Sequence, residues 1–342
     1  MLVSVVIPCY YSEATIGKVV RLTRDELVRG GYDYEFVLVN DGSTDGTFAQ
    51  IQQLCAEDSR VVGIDCAKNL GQHAAIMAGL AHATGDAVMV MDDDMQTHPS
   101  QCLKLVDALA AHDEVDVVFA EWPEHKEALW RRAGSDFAAW STRIMTKRPK
   151  EIYSSNFFVL RDYIRDEVVR YTGPYPYVQG LLFRSTHSMM NVEVEHFERE
   201  SGSSGYTLKT LIRLWANVLG FSMLPLRVAS VLGAIIGVVG IVSAIGVIVA
   251  RAMDPTMAMG WPSTMAAMLT CSGLILLFMG ITGEYIGRLY MTANNAPQFV
   301  LRRVIDNRNV SLGSDPYDTL RGPDVSKGSD PFDAFSSGRS SR

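Results

Sequence analysis

Cysteine is scarce in this chain. Five occur in 342 residues, Cys9, Cys55, Cys66, Cys102 and Cys271. The count is odd and no two stand at the close spacing of a metal-binding pair. Neither a disulfide framework nor a zinc site is expected, and a reducing compartment fits. An excess of positive charge is also missing. Lys and Arg total 31 against 38 Asp and Glu, a net charge of −7 at pH 7, which disfavours a nucleic-acid partner. No Gly-rich loop ends in the Lys-Ser/Thr pair that cradles phosphate in Walker-type sites. Residues 1–10 read as a strand entering a turn rather than as a charged leader with an apolar run, so the first 220 or so residues are expected in the cytosol.

Charge of either sign is absent from residues 228–250 and 261–283. Each run exceeds the roughly 20 helical residues that cross a bilayer core, and two transmembrane helices are expected. A pair of buried core helices is the alternative. Gly233, Gly237 and Gly240 recur at helical spacing, which lets such helices pack closely in lipid. Arg213 and Arg227 precede the first run, and Arg288, Arg302 and Arg303 follow the second. The short external loop expected at 251–260 holds only Arg251, beside Asp254. The positive-inside bias places both termini in the cytoplasm. Within 207–227, Leu208, Leu211, Ile212, Trp215, Val218 and Leu219 form one apolar stripe, with Lys209, Arg213 and Asn217 elsewhere. This is an amphipathic juxtamembrane helix that either lies in the membrane interface or packs on the sheet. Residues 284–305 read as a cytosolic juxtamembrane segment, and 306–342, dominated by Gly, Ser, Asp and Pro, as a disordered tail.

In the first part, 1–206, strand and helix signals alternate. Apolar strands are expected at 3–8, 36–39, 61–65, 87–91 and 115–120. Helices are expected at 14–28, up to Leu54 after a cap at Thr44 or Asp45, at 73–83 and at 101–111. A mixed helix is expected over 129–145 and a strand-like alternation over 191–197. This order predicts an α/β fold, a mostly parallel sheet with helices on both faces.

In such a sheet the carboxyl ends of the strands share one edge, where ligands bind. Four polar segments fall at those ends: Pro8-Cys9-Tyr10, Asp41-Gly42-Ser43, Asn69-Leu70-Gly71-Gln72 and Asp92-Asp93-Asp94. Asp92 and Asp94, one residue apart after a buried strand, are suited to a divalent ion that keeps positions open for substrate phosphates. Taken alone, the same run is equally an acidic solvated loop. His73 and His196 read as packing or hydrogen-bonding residues rather than catalysts.

Taken together, Val5-Val6-Ile7-Pro8, Asn40-Asp41-Gly42-Ser43-Thr44-Asp45, Asn69-Leu70-Gly71-Gln72, Asp92-Asp93-Asp94-Met95-Gln96, the Arg199 to Tyr206 segment and Gly283-Glu284-Tyr285-Ile286-Gly287-Arg288 resemble a family 2 glycosyltransferase of the GT-A fold. More narrowly, the chain is similar to bacterial polyprenyl-phosphate glycosyltransferases with two membrane spans, including undecaprenyl-phosphate aminoarabinose transferases and O-antigen glucosyl transferases. The resemblance implies an inverting, metal-dependent transfer of one sugar from a nucleotide-diphosphate sugar, uridine-linked by analogy, to undecaprenyl phosphate. It would act at the cytosolic face of the bacterial inner membrane, for cell-envelope glycan or glycolipid modification.

The same resemblance assigns Pro8, Tyr10, Glu13, Asp41, Asp92 and Asp93 to the nucleotide-sugar and Asp92, Asp94 and Gln96 to Mg2+ or Mn2+. It assigns Arg131, Ser135, Arg199 and Ser204 to the acceptor phosphate, with Asp92, Asp94 and Arg199 carrying catalysis. Arg131 is equally read as a solvated helix charge. Some relatives form tetramers, so a homo-oligomer is a further implication. The chain departs from the family pattern at Tyr11 and Ser12, where Asn and Glu are common, and at Gly205, where Lys or Asn is frequent. It departs again at Ser154-Ser155, where relatives often carry an Asp, and no protein base is named. A processive polysaccharide synthase or a non-catalytic nucleotide-sugar-binding scaffold are the alternatives. The first normally carries a Gln-x-x-Arg-Trp segment that this chain lacks. Sugar choice is expected to lie in 121–126 and 171–179.

Overall fold

The computed structural model of the chain describes residues 1–122, 143, 148–195, 224–253 and 260–308. Eight strands form one sheet in the order β7-β5-β6-β4-β1-β2-β3-β8. The first four, β1 (Leu2–Cys9), β2 (Asp33–Asn40), β3 (Val61–Cys66) and β4 (Ala87–Val90), are mutually parallel neighbours at its centre. Strand β5 (Val117–Glu121) pairs parallel with β7 (Met189–Glu193). Strands β6 (Phe158–Arg161) and β8 (Leu301–Ile305) run antiparallel to their neighbours.

Both faces of the central strands are buried, which is why they read as continuous apolar runs rather than alternating ones. On one face Val3, Val5, Ile7 and Cys9 pack with Ile16, Val19 and Leu27 of helix α1 (Ile16–Arg29), Ile51 and Leu54 of α2 (Thr47–Glu57), and Leu105, Val106 and Leu109 of α4 (Cys102–Ala111). On the other, Val6, Val37, Val39 and Val90 pack with Ile76, Met77 and Leu80 of α3 (Gln72–Leu80). Ile164 and Val168 of α5 (Asp162–Val169) and Leu181 and Leu182 of α6 (Val178–Ser185) complete that layer. Each fully buried Val, Leu or Ile contributes roughly 1.5–3 kcal/mol by leaving water. Cys9, Cys55, Cys66 and Cys102 are buried free thiols.

Three local expectations are revised. The residue that starts α2 is Gly46, with no side-chain cap of its own; Asp45 instead accepts from Thr47 N at 3.2 Å and from its hydroxyl at 2.6 Å. The alternating segment near 191 forms β7 two residues earlier, at Met189–Glu193. Residues 301–305 form β8 on the sheet edge, and Arg308 reaches the buried Glu35 carboxylate at 2.6 Å. Residues 306–308 are therefore tied to the sheet: Asp306 pairs with Arg308 at 2.7 Å and Asn307 Nδ2 donates to Cys55 O at 3.1 Å. Local apolar periodicity could not report this, because the bonds to Cys55 and Glu35 are polar and reach 252 and 273 residues back along the chain.

Two long helices follow the first seven strands, α7 (Leu224–Met253) and α8 (Trp261–Ala293). Their surface is apolar. Val231, Ile235, Val239 and Val242 of α7 and Ile275, Leu276, Met279 and Leu289 of α8 are all exposed. In α8 the stretch Thr270–Ala293 is long and apolar enough to cross a membrane; in α7 a shorter apolar stretch spans Leu226–Gly240. Within the α8 stretch Glu284 and Arg288, one turn apart, pair with each other at 3.0 Å. The amphipathic segment expected over 207–227 lies outside the described residues up to 223.

Candidate active site

The register of the central strands brings the polar segments together. Cys9 stands opposite Asn40, Asn40 opposite Asp65, and Val6 opposite Val90. The loops that follow these strands therefore leave from one edge. They enclose a cavity of about 580 Å³ lined by Pro8, Tyr10, Tyr11, Ser12, Asp41, Asn69, Gly71, Gln72, Asp92, Asp93, Asp94 and Asn156, with Cys9 and Thr15.

Each acidic side chain is held in its own way. Asp41 N donates to Cys9 O at 2.9 Å, which anchors the turn. The Asp41 carboxylate accepts from Leu70 N at 2.8 Å and Gly71 N at 2.9 Å. The loop of Asn69-Leu70-Gly71 is thus folded back over the end of β2. Gly71 at φ +90° and Gly42 at φ +69° make this approach possible, since a Cβ at Gly42 would stand 2.5 Å from Asn69 N. Burial raises the Asp41 pKa, and the two N–H groups only partly offset it. Asp93 accepts from Ser12 Oγ and from Tyr10 N at 3.4 Å. Burial is again the main cause of a raised pKa; Ser12 and Tyr10 oppose it, and the neighbouring Asp94 charge adds to it. Asp92 Oδ1 accepts from Gln72 Nε2 at 2.6 Å, and Asp94 Oδ1 from Gln96 N at 3.0 Å. Met95, between them, takes φ +62° and is buried, so the acidic run is a tight, specified turn.

The departures at Tyr11 and Ser12 find their roles here. Tyr11 sits at φ +56°, its N donates to Ser43 Oγ at 3.1 Å and its hydroxyl bonds Thr44 at 3.0 Å. Ser12 is buried, its N donates to Thr47 Oγ1 at 2.8 Å, and its hydroxyl holds Asp93. Tyr10 and Tyr11 stand edge to face at 4.6 Å, both exposed at the rim.

Pro8, Tyr10, Asp41, Asp92, Asp93 and Asp94 are brought together as the sequence suggested. Glu13 is not. Its carboxylate accepts from Gly46 N at 3.0 Å, at the start of α2, where the helix end attracts negative charge. The Gln96 side chain is not among the cavity's lining groups; only its backbone N–H meets Asp94. Arg131, Ser135, Arg199 and Ser204 lie outside the described residues. Sequence reading missed Asn156. It stands ahead of β6, an antiparallel strand, so its amino end falls at the same edge as the carboxyl ends of the parallel ones. Two apolar residues after a polar one was the available signal, but strand direction is not written locally. Ser155, at the position noted for lacking an Asp, is buried and donates to Phe157 O at 2.8 Å.

Among the described residues no Lys or Arg lines the cavity, although four aspartates do. No group of three His, Cys, Asp or Glu side chains among them is placed to close around a metal. This donor set fits a hard divalent cation that takes one or two carboxylate oxygens and completes its shell with water and a ligand's phosphates. It does not fit a closed structural metal site.

A mostly parallel sheet with an acidic, loop-lined cleft at its carboxyl edge is the α/β arrangement that the resemblance to GT-A glycosyltransferases implies. Residues 4–165 match the family model described as Glycosyl transferase family 2. The undecaprenyl-phosphate 4-deoxy-4-formamido-L-arabinose transferase of Enterobacter sp. (strain 638) is 30% identical over 317 residues, 92% of this chain and 96% of that protein. The protein of the same description from Proteus mirabilis (strain HI4320) is 31% identical over 307 residues, 89% of this chain and 94% of its own length. The chain belongs to glycosyl transferase family 2. Among solved structures, glucosyl-3-phosphoglycerate synthase from Mycobacterium tuberculosis with Mn2+, UDP and phosphoglyceric acid is similar at 20% identity and TM-score 0.47, covering 64% of this chain and 77% of that one. Mannosyl-3-phosphoglycerate synthase from Rubrobacter xylanophilus matches at 16% identity and TM-score 0.48, covering 64% and 72%.

Proposed function

We propose that this glycosyltransferase moves a single sugar from a nucleotide-diphosphate donor, a uridine diphosphate sugar, to a polyprenyl phosphate of the undecaprenyl type. The observation that carries this is the likeness of nearly the whole chain, both long helices included, to transferases named for undecaprenyl phosphate. The apolar surfaces of α7 and α8 support a membrane location, with two spans at the bacterial inner membrane and the cleft and both termini on the cytosolic side.

The lipid phosphate oxygen attacks the anomeric carbon from the face opposite the nucleotide. A new carbon–oxygen bond forms, the bond to the diphosphate breaks, and the nucleoside diphosphate leaves with the electron pair, so the centre inverts. A lipid phosphate is anionic near neutral pH and needs no proton removed, which accommodates Ser155 where an acid is common in relatives. Pro8, Tyr10, Asp41 and Asp93 hold and orient the nucleotide-sugar. Asp92 and Asp94 would hold Mg2+ or Mn2+, which when bound supplies positive charge to the departing diphosphate. The donor is an anion, and it would enter a cleft lined, among the described residues, by four aspartates and no Lys or Arg; a cation between them removes that conflict. Arg131, Ser135, Arg199 and Ser204 are proposed to receive the acceptor phosphate. Alignment of the two substrates and stabilisation of the leaving group supply the acceleration.

The test is a panel of nucleotide-sugars with membranes holding the chain and undecaprenyl phosphate, read by the mass of the lipid product. One donor should add one sugar to the lipid and release nucleoside diphosphate. Asp94→Ala should lower that transfer by at least about 100-fold. Undiminished transfer by this variant, or donor bound with no lipid product from any sugar, sinks the proposal.

A further inference from the structure

Behind Asp92 runs a chain of side-chain amides from three distant parts of the sequence. Gln72 Nε2 donates to Asp92 Oδ1 at 2.6 Å, Asn156 Nδ2 donates to Gln72 Oε1 at 3.1 Å, and Gln179 Nε2 donates to Asn156 Oδ1 at 2.6 Å. Gln179 Nε2 also donates to Ser155 O at 3.4 Å. Gln179 is buried in α6, whereas Gln72 and Asn156 line the cleft.

The direction of this chain is forced. An ionised carboxylate only accepts, so Gln72 must turn its NH2 toward Asp92 and its oxygen away. That oxygen faces Asn156 at 3.1 Å, so Asn156 turns its NH2 to Gln72 rather than set two oxygens against each other, and its own oxygen faces the NH2 of Gln179 at 2.6 Å. The last acceptor, Gln179 Oε1, is left buried with no partner. Unsatisfied buried oxygens are rare and need a reason. Flipping Gln179 would not cure the problem, because two oxygens would then face each other at Asn156. The orphan oxygen is the far-end consequence of presenting donors at the near end.

We infer that Gln72, Asn156 and Gln179 are positioning residues that fix the Asp92 carboxylate for a divalent cation and the donor diphosphate. The inference rests on the donor-site reading above and adds three residues to it. Gln72 fixes one carboxylate oxygen, Oδ1, and so sets the rotation of the group. Asn156 and Gln179 act through Gln72 and touch no reacting atom. Partners behind a metal-binding carboxylate ordinarily change metal affinity by 10–100-fold when removed.

Asn156→Asp is the informative substitution. A carboxylate at 156 accepts from both neighbours, so Gln72 turns its NH2 toward 156 and shows its oxygen to Asp92. The polarity of the chain is reversed with almost no change of shape. Asn156→Ala merely cuts it. Gln72→Met, at an exposed position, serves if either variant fails to fold.

The measurement is Mn2+ binding to the full chain in detergent, alone and with UDP, by electron paramagnetic resonance of the free ion. It requires no turnover. Unfolding temperature without ligand is recorded beside it, since a purely structural role would move that and leave Mn2+ affinity alone. Weaker Mn2+ binding by about 10-fold or more is expected for Asn156→Ala and Gln72→Met, and a larger loss for Asn156→Asp. Affinity within twofold of the unmodified chain for these variants overturns the inference, provided Asp92→Ala loses the ion. If Asp92→Ala binds Mn2+ as well as the unmodified chain, or the unmodified chain takes up none, the donor-site reading fails and this inference with it.

Discussion

The two ends of the sheet are built on opposite electrostatic plans. At the amino end, Asp25, Glu35 and Asp58 are matched by guanidinium groups of the same chain. Asp58 and Arg60 pair at 2.9 Å, with Tyr34 donating to Asp58 at 2.9 Å and Arg60 lying 3.9 Å over the Tyr34 ring. Arg24 and Asp25 pair at 3.0 Å. Glu35 is deeply buried and accepts from Ser4, from Thr84 N at 2.6 Å and from Arg308 at 2.6 Å. A cavity of about 830 Å³ opens there, larger than the cleft, and Arg21, Arg24 and Arg60 share its walls with Asp25, Glu57 and Asp58. At the carboxyl end Asp65 pairs with Arg302 at 3.1 Å, but the cleft residues Asp41 and Asp93 are held, among the described residues, by hydroxyl and N–H groups. Charge matched within the protein stabilises the fold. Charge matched only by neutral donors leaves a field for something brought from outside. Size therefore does not identify the functional cavity; unmatched charge does.

This contrast can be broken from either side. The largest stability effect is expected from Arg308→Ala, which leaves Glu35 buried without its cation and should cost about 3–5 kcal/mol. A fall of the unfolding temperature too small to resolve would show that Glu35 does not need the strap that follows β8. Asp58→Ala should cost about 1–2 kcal/mol, measured by denaturant unfolding in detergent, with donor turnover per folded molecule retained. Turnover that fell with stability would join the two ends and dissolve the comparison.

The pH dependence should carry opposite signs at the two ends. Burial tends to raise the Asp58 pKa, but the hydrogen bonds and charge of Arg60 and the bond from Tyr34 win and bring it down to about 2. Its unfolded value is about 3.9. Its contribution is therefore complete above about pH 4 and lost as pH falls toward 2. Asp93, raised by burial, is the reverse. In its ionised form it subtracts from stability, and the subtraction fades as pH falls through its folded value. The smallest expected effect follows. Asp93→Asn should be as stable as the unmodified chain or slightly more so at pH 7, with the gain vanishing on acidification. A loss of stability at pH 7 would mean that the Ser12 bond to the ionised carboxylate outweighs its burial.

Much of this was legible in the chain itself. The apolar runs at β1 to β5 report burial on both faces, and the polar residues after them report the edge where ligands meet. Other features were not legible. Glu13 is placed near the nucleotide-sugar by the family resemblance alone. Its side chain turns to the open end of α2, 33 residues on. Gln72 was visible in its motif, but its partner Asn156 is 84 residues away and arrives only because β6 runs antiparallel to β4.

The sequence by itself determined which segments must be buried, where the acidic turn Asp92-Asp93-Asp94 falls relative to a strand, and that two long stretches carry no charge. These follow from composition over a few neighbouring residues, where periodicity and burial are coupled. Only the tertiary structure decided that β8 returns from beyond α8 to the sheet, that Arg308 serves Glu35, and that amides from three segments line up behind one aspartate. Such pairings depend on which strand lies beside which and in what direction. That is settled by packing the whole domain at once, and no local stretch of residues contains it.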